Sequence, residues 1–208
     1  MVAAAVCAAL VERGESVAAF KPAVTGLDEP ADEWPRDHEL LARAAGGHQS
    51  AEQVAPYRFA PPLSPHYAAE LAGEAIEPAR LVETASAAGD GPLIAEGVGG
   101  LLVPITPGYL VRDLAVDLGL PLLIAARTGL GTINHTLLTI EAARAAGLTV
   151  AAVVLTPWPE APTEIERSNR GTIAALAGVR VLTLGSIDLS DPESWPALSV
   201  PMGRFRSL

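Results

Sequence analysis

The amino-acid sequence predicts an α/β fold organised as one doubly wound, mainly parallel sheet. Two observations carry that prediction. Short apolar runs such as residues 120–126 show no polar alternation, as strands buried on both faces should. Segments of helical period alternate with these runs along the chain, the pattern of β-α-β units. Half of the 208 residues are apolar, enough for one full core, so residues 1–208 are read as a single domain.

Charge and composition narrow the function classes. The 24 acidic and 14 basic residues give a net charge of −10, and no Lys or Arg cluster follows the chain. Nucleic acid and anionic membrane are therefore excluded as expected partners. The single cysteine, Cys7, rules out an internal disulfide framework and falls in an apolar helical run, where packing is its expected role. No apolar run approaches the roughly 20 residues that cross a bilayer. The opening run, residues 1–11, lacks the basic residues and cleavage segment of a secretion signal and reads as a buried helix ended by Gly14. A soluble, cytoplasmic protein is expected.

Each element has a local reason. Residues 16–20 read as a short buried strand, and 21–26 as the loop leaving its carboxyl end. Residues 27–35 are acidic and broken by proline, hence an exposed loop. Helical spacing resumes over 37–45, with Asp37 as its expected cap, and stops at Gly46-Gly47. Residues 54–66 are extended up to Ser64-Pro65, which opens a helix to about Ala72, with Ser as cap and Pro in the first turn. Further helices are predicted over 78–88, 111–118, 133–146 and 163–177. Further strands are predicted before Glu96 and over 120–126, 149–155 and 179–184. The tail from Ser190 shows weak periodicity and is assigned to the surface. His38 and His48 are expected to be exposed, and His66 and His135 to orient loops. Their spacing does not suggest zinc.

The stretch with most chemical content is residues 94–104. There an apolar strand ends on one carboxylate, Glu96, followed by Gly97, Gly99 and Gly100. Open α/β sheets bind ligands at such strand ends. Glycines there admit close approach of backbone N–H groups to an anion, and a carboxylate beside them can hold magnesium near phosphates. Three more loops leave strand ends with polar groups: Lys21 with Thr25, residues 128–135, and residues 156–159. A lysine, a metal-holding carboxylate and glycine-lined backbone on one edge point to chemistry on a phosphorylated species. Trp158, between two prolines, reads as packing rather than as a pocket wall.

Four motifs in this order resemble the dethiobiotin synthetase family, the ATP-dependent carboxylases that close the ureido ring in biotin synthesis. They are Phe20-Lys21-Pro22-Ala23-Val24-Thr25-Gly26, Pro56-Tyr57-Arg58-Phe59 through Ser64-Pro65-His66, Glu96-Gly97-Val98-Gly99-Gly100, and Leu130-Gly131-Thr132-Ile133-Asn134-His135-Thr136. The resemblance implies a P-loop NTPase type of fold and a homodimer with sites at the subunit interface. It also implies magnesium with ATP, 7,8-diaminononanoate and carbon dioxide as substrates. By motif, Lys21 is the catalytic residue between carbamate and γ-phosphate, and Thr25 contacts the diamine. Asp37 and Glu96 hold the metal and, with Gly97, Val98 and Gly99, the nucleotide phosphates. Leu130, Gly131, Thr132, Ile133 and Asn134 receive the substrate carboxylate. Thr156, Pro157, Ile187, Asp188 and Leu189 flank the base.

The family's opening strand and G-x-x-x-x-G-K-T loop have no counterpart within these residues. Aligned back from Lys21, that loop would end just before Met1, so the chain is expected to be truncated and to lack the first central strand of the sheet, with flanking strand edges unpaired. Weak ATP binding and a tendency to aggregate are expected of the chain as written, and activity of a version extended upstream. The family's usual base-reading Asn-Asp is replaced by Thr156-Pro157, and its usual proline is missing near residues 186–189, which opens the nucleotide to another triphosphate. Competing readings are a cobyrinate-type synthetase domain, a partition-type ATPase, and a binding module that keeps the diamine pocket without catalysis.

Overall fold

The computed structural model describes residues 1–30 and 35–197. Its elements run α1 (Val2–Glu12), β1 (Ala18–Phe20), β2 (Ala23–Val24), α2 (Asp37–Ala44), α3 (Ala51–Val54) and β3 (Tyr57–Arg58). Then follow α4 (Pro65–Ala72), α5 (Pro78–Ser86), β4 (Leu93–Ala95), β5 (Pro104–Thr106), β6 (Tyr109–Leu110) and α6 (Val111–Leu118). The chain continues through β7 (Leu122–Ala126), α7 (Thr132–Ala145), β8 (Val150–Leu155), α8 (Glu164–Ala177), β9 (Arg180–Thr183) and a 3₁₀ turn, Pro192–Ala197. Among the described residues no helix is long and apolar enough to cross a membrane.

The long strands pair in parallel, as their unbroken apolar sequence predicts. They form two ladders, β1–β4 and β7–β8–β9, and β4 and β7 do not pair with each other among the described residues. Continuity therefore holds within each ladder and not between them among the described residues. Both ladders are wound on two faces. Ala19 of β1 and Val154 of β8 share one cluster with α1 and α2. The next residues along, Phe20 and Leu155, face the opposite way, Phe20 toward α4–α6 and Leu155 toward α7 and α8. Period-two alternation thus assigns each strand residue to one of two helical layers. Of two minor pairs, parallel β2–β3 joins the expected loop 21–26 to the expected extended segment 54–66, and antiparallel β5–β6 lies where no strand pair was predicted.

Four expectations are corrected. Asp37 does not cap α2; Arg36 stands at the cap position, and Glu39 reaches back to accept from the Arg36 N–H at 3.1 Å. That leaves the Asp37 carboxylate for another partner. Ser64 occupies the cap position of α4, but its hydroxyl meets His66 Nδ1 at 3.0 Å instead of the helix backbone. His38 is buried, not exposed, and burial lowers its pKa, Arg58 adding to the effect and Glu39 opposing it. The segment after Ser190 is not merely surface: Trp195 is 3% exposed and packs in the cluster built by α1 and α2, while residues 198–208 lie outside the described part.

One backbone contact locks the entry of the first ladder. Pro92 O accepts from Ala18 N–H at 2.9 Å, and a Cβ on Gly91 would sit 1.7 Å from Ser16 O. No side chain fits that crossing, so Gly91→Ala should lower the urea unfolding free energy by about 3 kcal/mol, as an overpacked core does. Gly171, exposed on α8 with nothing within 4 Å of its Cβ position, provides the contrast. Gly171→Ala should raise stability by about 1 kcal/mol through helix propensity.

Candidate functional site

Strand register builds the centre of the site. Phe20 stands opposite Ala95 in the parallel pair, so Lys21 and Glu96 are the first residues beyond each strand. Ala19 and Ile94 both face the α1–α2 cluster. Two residues further on, Lys21 and Glu96 point to the same side. The backbone fixes both positions: Glu96 N–H donates to Phe20 O at 2.8 Å and Lys21 N–H to Val54 O at 2.9 Å.

The Lys21 side chain is 94% enclosed and its Nζ donates to Glu96 Oε1 at 2.6 Å and to Gly97 O at 3.4 Å. Asp37, the first residue of α2, brings Oδ2 to 3.0 Å from the same ammonium. Burial presses the Lys21 pKa down, but the charges of Glu96 and Asp37 outweigh it and hold it above its ordinary 10.5. Burial would raise the Asp37 carboxyl, but Lys21 and the positive charge at Met1 hold it below its ordinary 3.8. Helix α1 packs on α2, the helix that begins with Asp37, in one core cluster. Cys7, buried in α1, is pushed up to about 12 by burial first and by the Glu96 charge second.

The sign of these shifts sets a pH window. A depressed Asp37 contributes stability above its ordinary pKa, and that contribution is lost as pH falls through the folded value. A raised Lys21 contributes below 10.5 and is lost as pH rises through its folded value. The ion-pair contribution is thus full from mildly acidic to moderately alkaline pH.

Around this centre the other motif residues divide. Thr25, half-buried, follows β2, and Gly26 turns the chain with φ +82°. Gly97 stands where a Cβ would meet Val111 Cγ1 at 3.0 Å, and Gly99 adopts φ +67°. With Val98 partly buried between them, these two residues leave backbone exposed beside Glu96. Leu130, Gly131, Thr132, Ile133 and Asn134 leave the carboxyl end of β7. Leu130 is fully exposed and Asn134 is exposed, while Thr132 is buried and donates to Arg127 O at 2.6 Å. Among the described residues this turn makes no hydrogen bond to Lys21, Asp37 or Glu96. Thr156 and Pro157, joined by a cis peptide, leave β8, and the Thr156 hydroxyl is buried without a partner among the described residues. Ile187 and Leu189 pack on the α1–α2 cluster, and Asp188 accepts from Ser190 N–H and Oγ–H at 2.9 and 2.6 Å. Trp158 packs on the β7–β9 cluster as expected, with Arg170 lying 6.0 Å from its ring centroid.

Three supporting residues escaped sequence reading. Arg36 donates to the carbonyls of Gly26, Leu27 and Glu29, each at 2.9 Å, tying the Thr25 loop to the start of α2. Asn169, buried on α8, donates to Thr128 O at 3.0 Å and Gly129 O at 3.3 Å and so braces the 130–134 turn. Gln49 closes the free edge of β1 by accepting from Ala19 N–H at 2.7 Å and donating to Ala19 O at 3.1 Å. A polar residue recurring inside an otherwise apolar helix face was the available signal for Asn169. Arg36 and Gln49 sit in loops without periodicity and gave none.

Comparison with known proteins places the chain in a family. A family model described as "AAA domain" matches residues 1–196. A protein of Anaeromyxobacter dehalogenans described as ATP-dependent dethiobiotin synthetase BioD is 46% identical over 156 residues, 74% of this chain and 69% of its own. Another of that description from Anaeromyxobacter sp. (strain K) is 42% identical over 190 residues, covering 84% of each chain. A third, from Haloferax mediterranei, is 39% identical over 182 residues, 86% of this chain and 75% of its own.

The two carboxylates differ in environment, and so should their removal. Glu96 is 24% exposed and Asp37 58%. Glu96→Gln strands a buried ammonium and should cost about 2 kcal/mol in urea unfolding at neutral pH, less than a fully buried pair would. Asp37→Asn, at a water-screened position, should cost less than about 1 kcal/mol.

Proposed function

The chain belongs to the family of ATP-dependent dethiobiotin synthetases, and from that premise we propose that it carboxylates 7,8-diaminononanoate with carbon dioxide and closes the product to dethiobiotin, in biotin synthesis. The observation that carries this reading is the convergence of Glu96 and Asp37 on the buried ammonium of Lys21. A carbamate formed on one substrate amine attacks the γ-phosphate, and the nucleoside diphosphate leaves. The second amine then attacks the carbonyl carbon of the mixed anhydride, and phosphate leaves as the ring closes. Both transfers gather negative charge on phosphoryl oxygens, and positioning with charge neutralisation supplies most of the catalysis.

Lys21 supplies the positive charge between carbamate and γ-phosphate, on a side chain whose burial strengthens the interaction. Gly97, Val98 and Gly99 offer backbone to the phosphates. Thr25 meets the diamine in the loop that Arg36 holds. Asp37 and Glu96 fit magnesium, since two carboxylate oxygens already converge on one cation there. This ion is usually held by one or two carboxylates together with substrate phosphates. When bound, it screens the charge of the triphosphate. Thr156, Pro157, Ile187, Asp188 and Leu189 flank the base of ATP or of another nucleoside triphosphate.

Residues 1–208 act as one cytoplasmic domain in a homodimer. Leu130, Gly131, Thr132, Ile133 and Asn134 reach the substrate carboxylate in the partner's site. The exposure of Leu130 and of Leu138, which is 55% exposed on α7, supports that assignment.

The test is dethiobiotin formation from radiolabelled bicarbonate and 7,8-diaminononanoate, with nucleotide and magnesium each omitted in turn. Product should require both. Lys21→Gln should lower kcat by about a thousandfold or more, the scale of losing one preorganised charge in a transition state. A second reading is a binding module that keeps the diamine pocket without turnover. Calorimetric binding of the diamine with neither nucleotide response nor product would select it over the carboxylase.

A further inference from the structure

Lys21 occupies the place that a divalent cation would take. Its ammonium lies 2.6 Å from Glu96 Oε1 and 3.0 Å from Asp37 Oδ2, and the carboxylates reach it from two different elements. Among the described residues no group of three His, Cys, Asp or Glu side chains is arranged to hold a metal, so these two carboxylates have no further acidic neighbour in such a cluster. An ammonium and a divalent cation repel, and neither can lie between the same two oxygens while the other is there. Resting on the reading above, we propose that Lys21 is the resident counter-ion of the Asp37–Glu96 pair and competes with the metal for it. The lysine then becomes free to meet carbamate and γ-phosphate only after the cation has displaced it.

The fold permits that exchange by side-chain rotation alone. The Lys21 backbone is held by Val54 O at 2.9 Å and its chain neighbour is Pro22, so the peptide stays fixed while four methylenes and the ammonium swing. Gly97 O, 3.4 Å from Nζ, offers an acceptor on the side of the glycine loop, toward which a released ammonium can turn. Arrival of the metal with its nucleotide would thus release the catalytic charge, and an empty site would keep it neutralised.

One sequence fact makes the proposal directly readable: Lys21 is the only lysine in the chain. The first measurement is Mn²⁺ binding to the full chain without nucleotide, at about pH 8. Lys21→Met should bind Mn²⁺ at least about tenfold more tightly than the parent, because a charge-assisted competitor has been removed. Equal or weaker binding by Lys21→Met, or no binding by either chain, overturns the proposal. Because Lys21→Met removes a buried charge and could impair folding, a second measurement uses the unaltered protein. Lysine-selective isotope labelling gives a single ε-methylene signal, which Mg²⁺ should shift in the parent and leave in place in the Asp37→Asn, Glu96→Gln double variant. A signal unmoved at Mg²⁺ concentrations that displace bound Mn²⁺ overturns competition. The two levels of failure are separable. If the double variant built on Lys21→Met retains Mn²⁺ binding, the metal assignment itself fails. If it loses that binding while Lys21→Met is no tighter than the parent, only the competition fails.

Discussion

A buried ammonium held by two carboxylates is the constraint on which the rest of this structure turns. Lys21 is almost wholly removed from water, and an ion in that position persists only with close partners of opposite charge. Meeting that requirement sets the relative placement of three elements. The end of β1 supplies Lys21, its register against β4 supplies Glu96, and the first turn of α2 supplies Asp37. The helices that form the layer over Ala19 and Ile94 are therefore also the walls of the site.

The division of the long strands into two ladders gives the molecule two functional halves with one shared layer. The β1–β4 half carries the charged centre and the glycine loop. The β7–β9 half carries the protruding Leu130 turn and the Thr156-Pro157 and 187–189 loops. Val154 and Leu184 from the second half join Val17 and Ala19 from the first in one core cluster, so the α1–α2 layer couples them. Support residues divide the same way: Arg36 and Gln49 brace the first half, and Asn169 the second.

Much of this was legible in the sequence because it follows from local rules. The apolar run ending at Ala126 and the 14-residue helix from Thr132 follow from burial and period. Lys21 and Glu96 stood out because each follows an apolar run directly, and parallel pairing brings such positions to one edge. What stayed hidden depends on tertiary company. Asp37 reads as a cap until Glu39 is seen to serve Arg36, which frees it for Lys21. His38 looks polar and exposed, yet its face of α2 is the buried one. Trp195 sits in a stretch with no periodicity, and only the presence of α1 beneath it explains its burial.

Burying the one lysine of these 208 residues between two carboxylates has a consequence for the exterior. All positive charge elsewhere on side chains, apart from any protonated imidazole, belongs to guanidinium groups, which keep their protons across the whole range in which folded proteins survive. The outer basic charge is thus nearly invariant under alkaline conditions. It pairs with carboxylates or carbonyls through planar, forked donors, and among these 208 residues adventitious acylation of lysine has a single address.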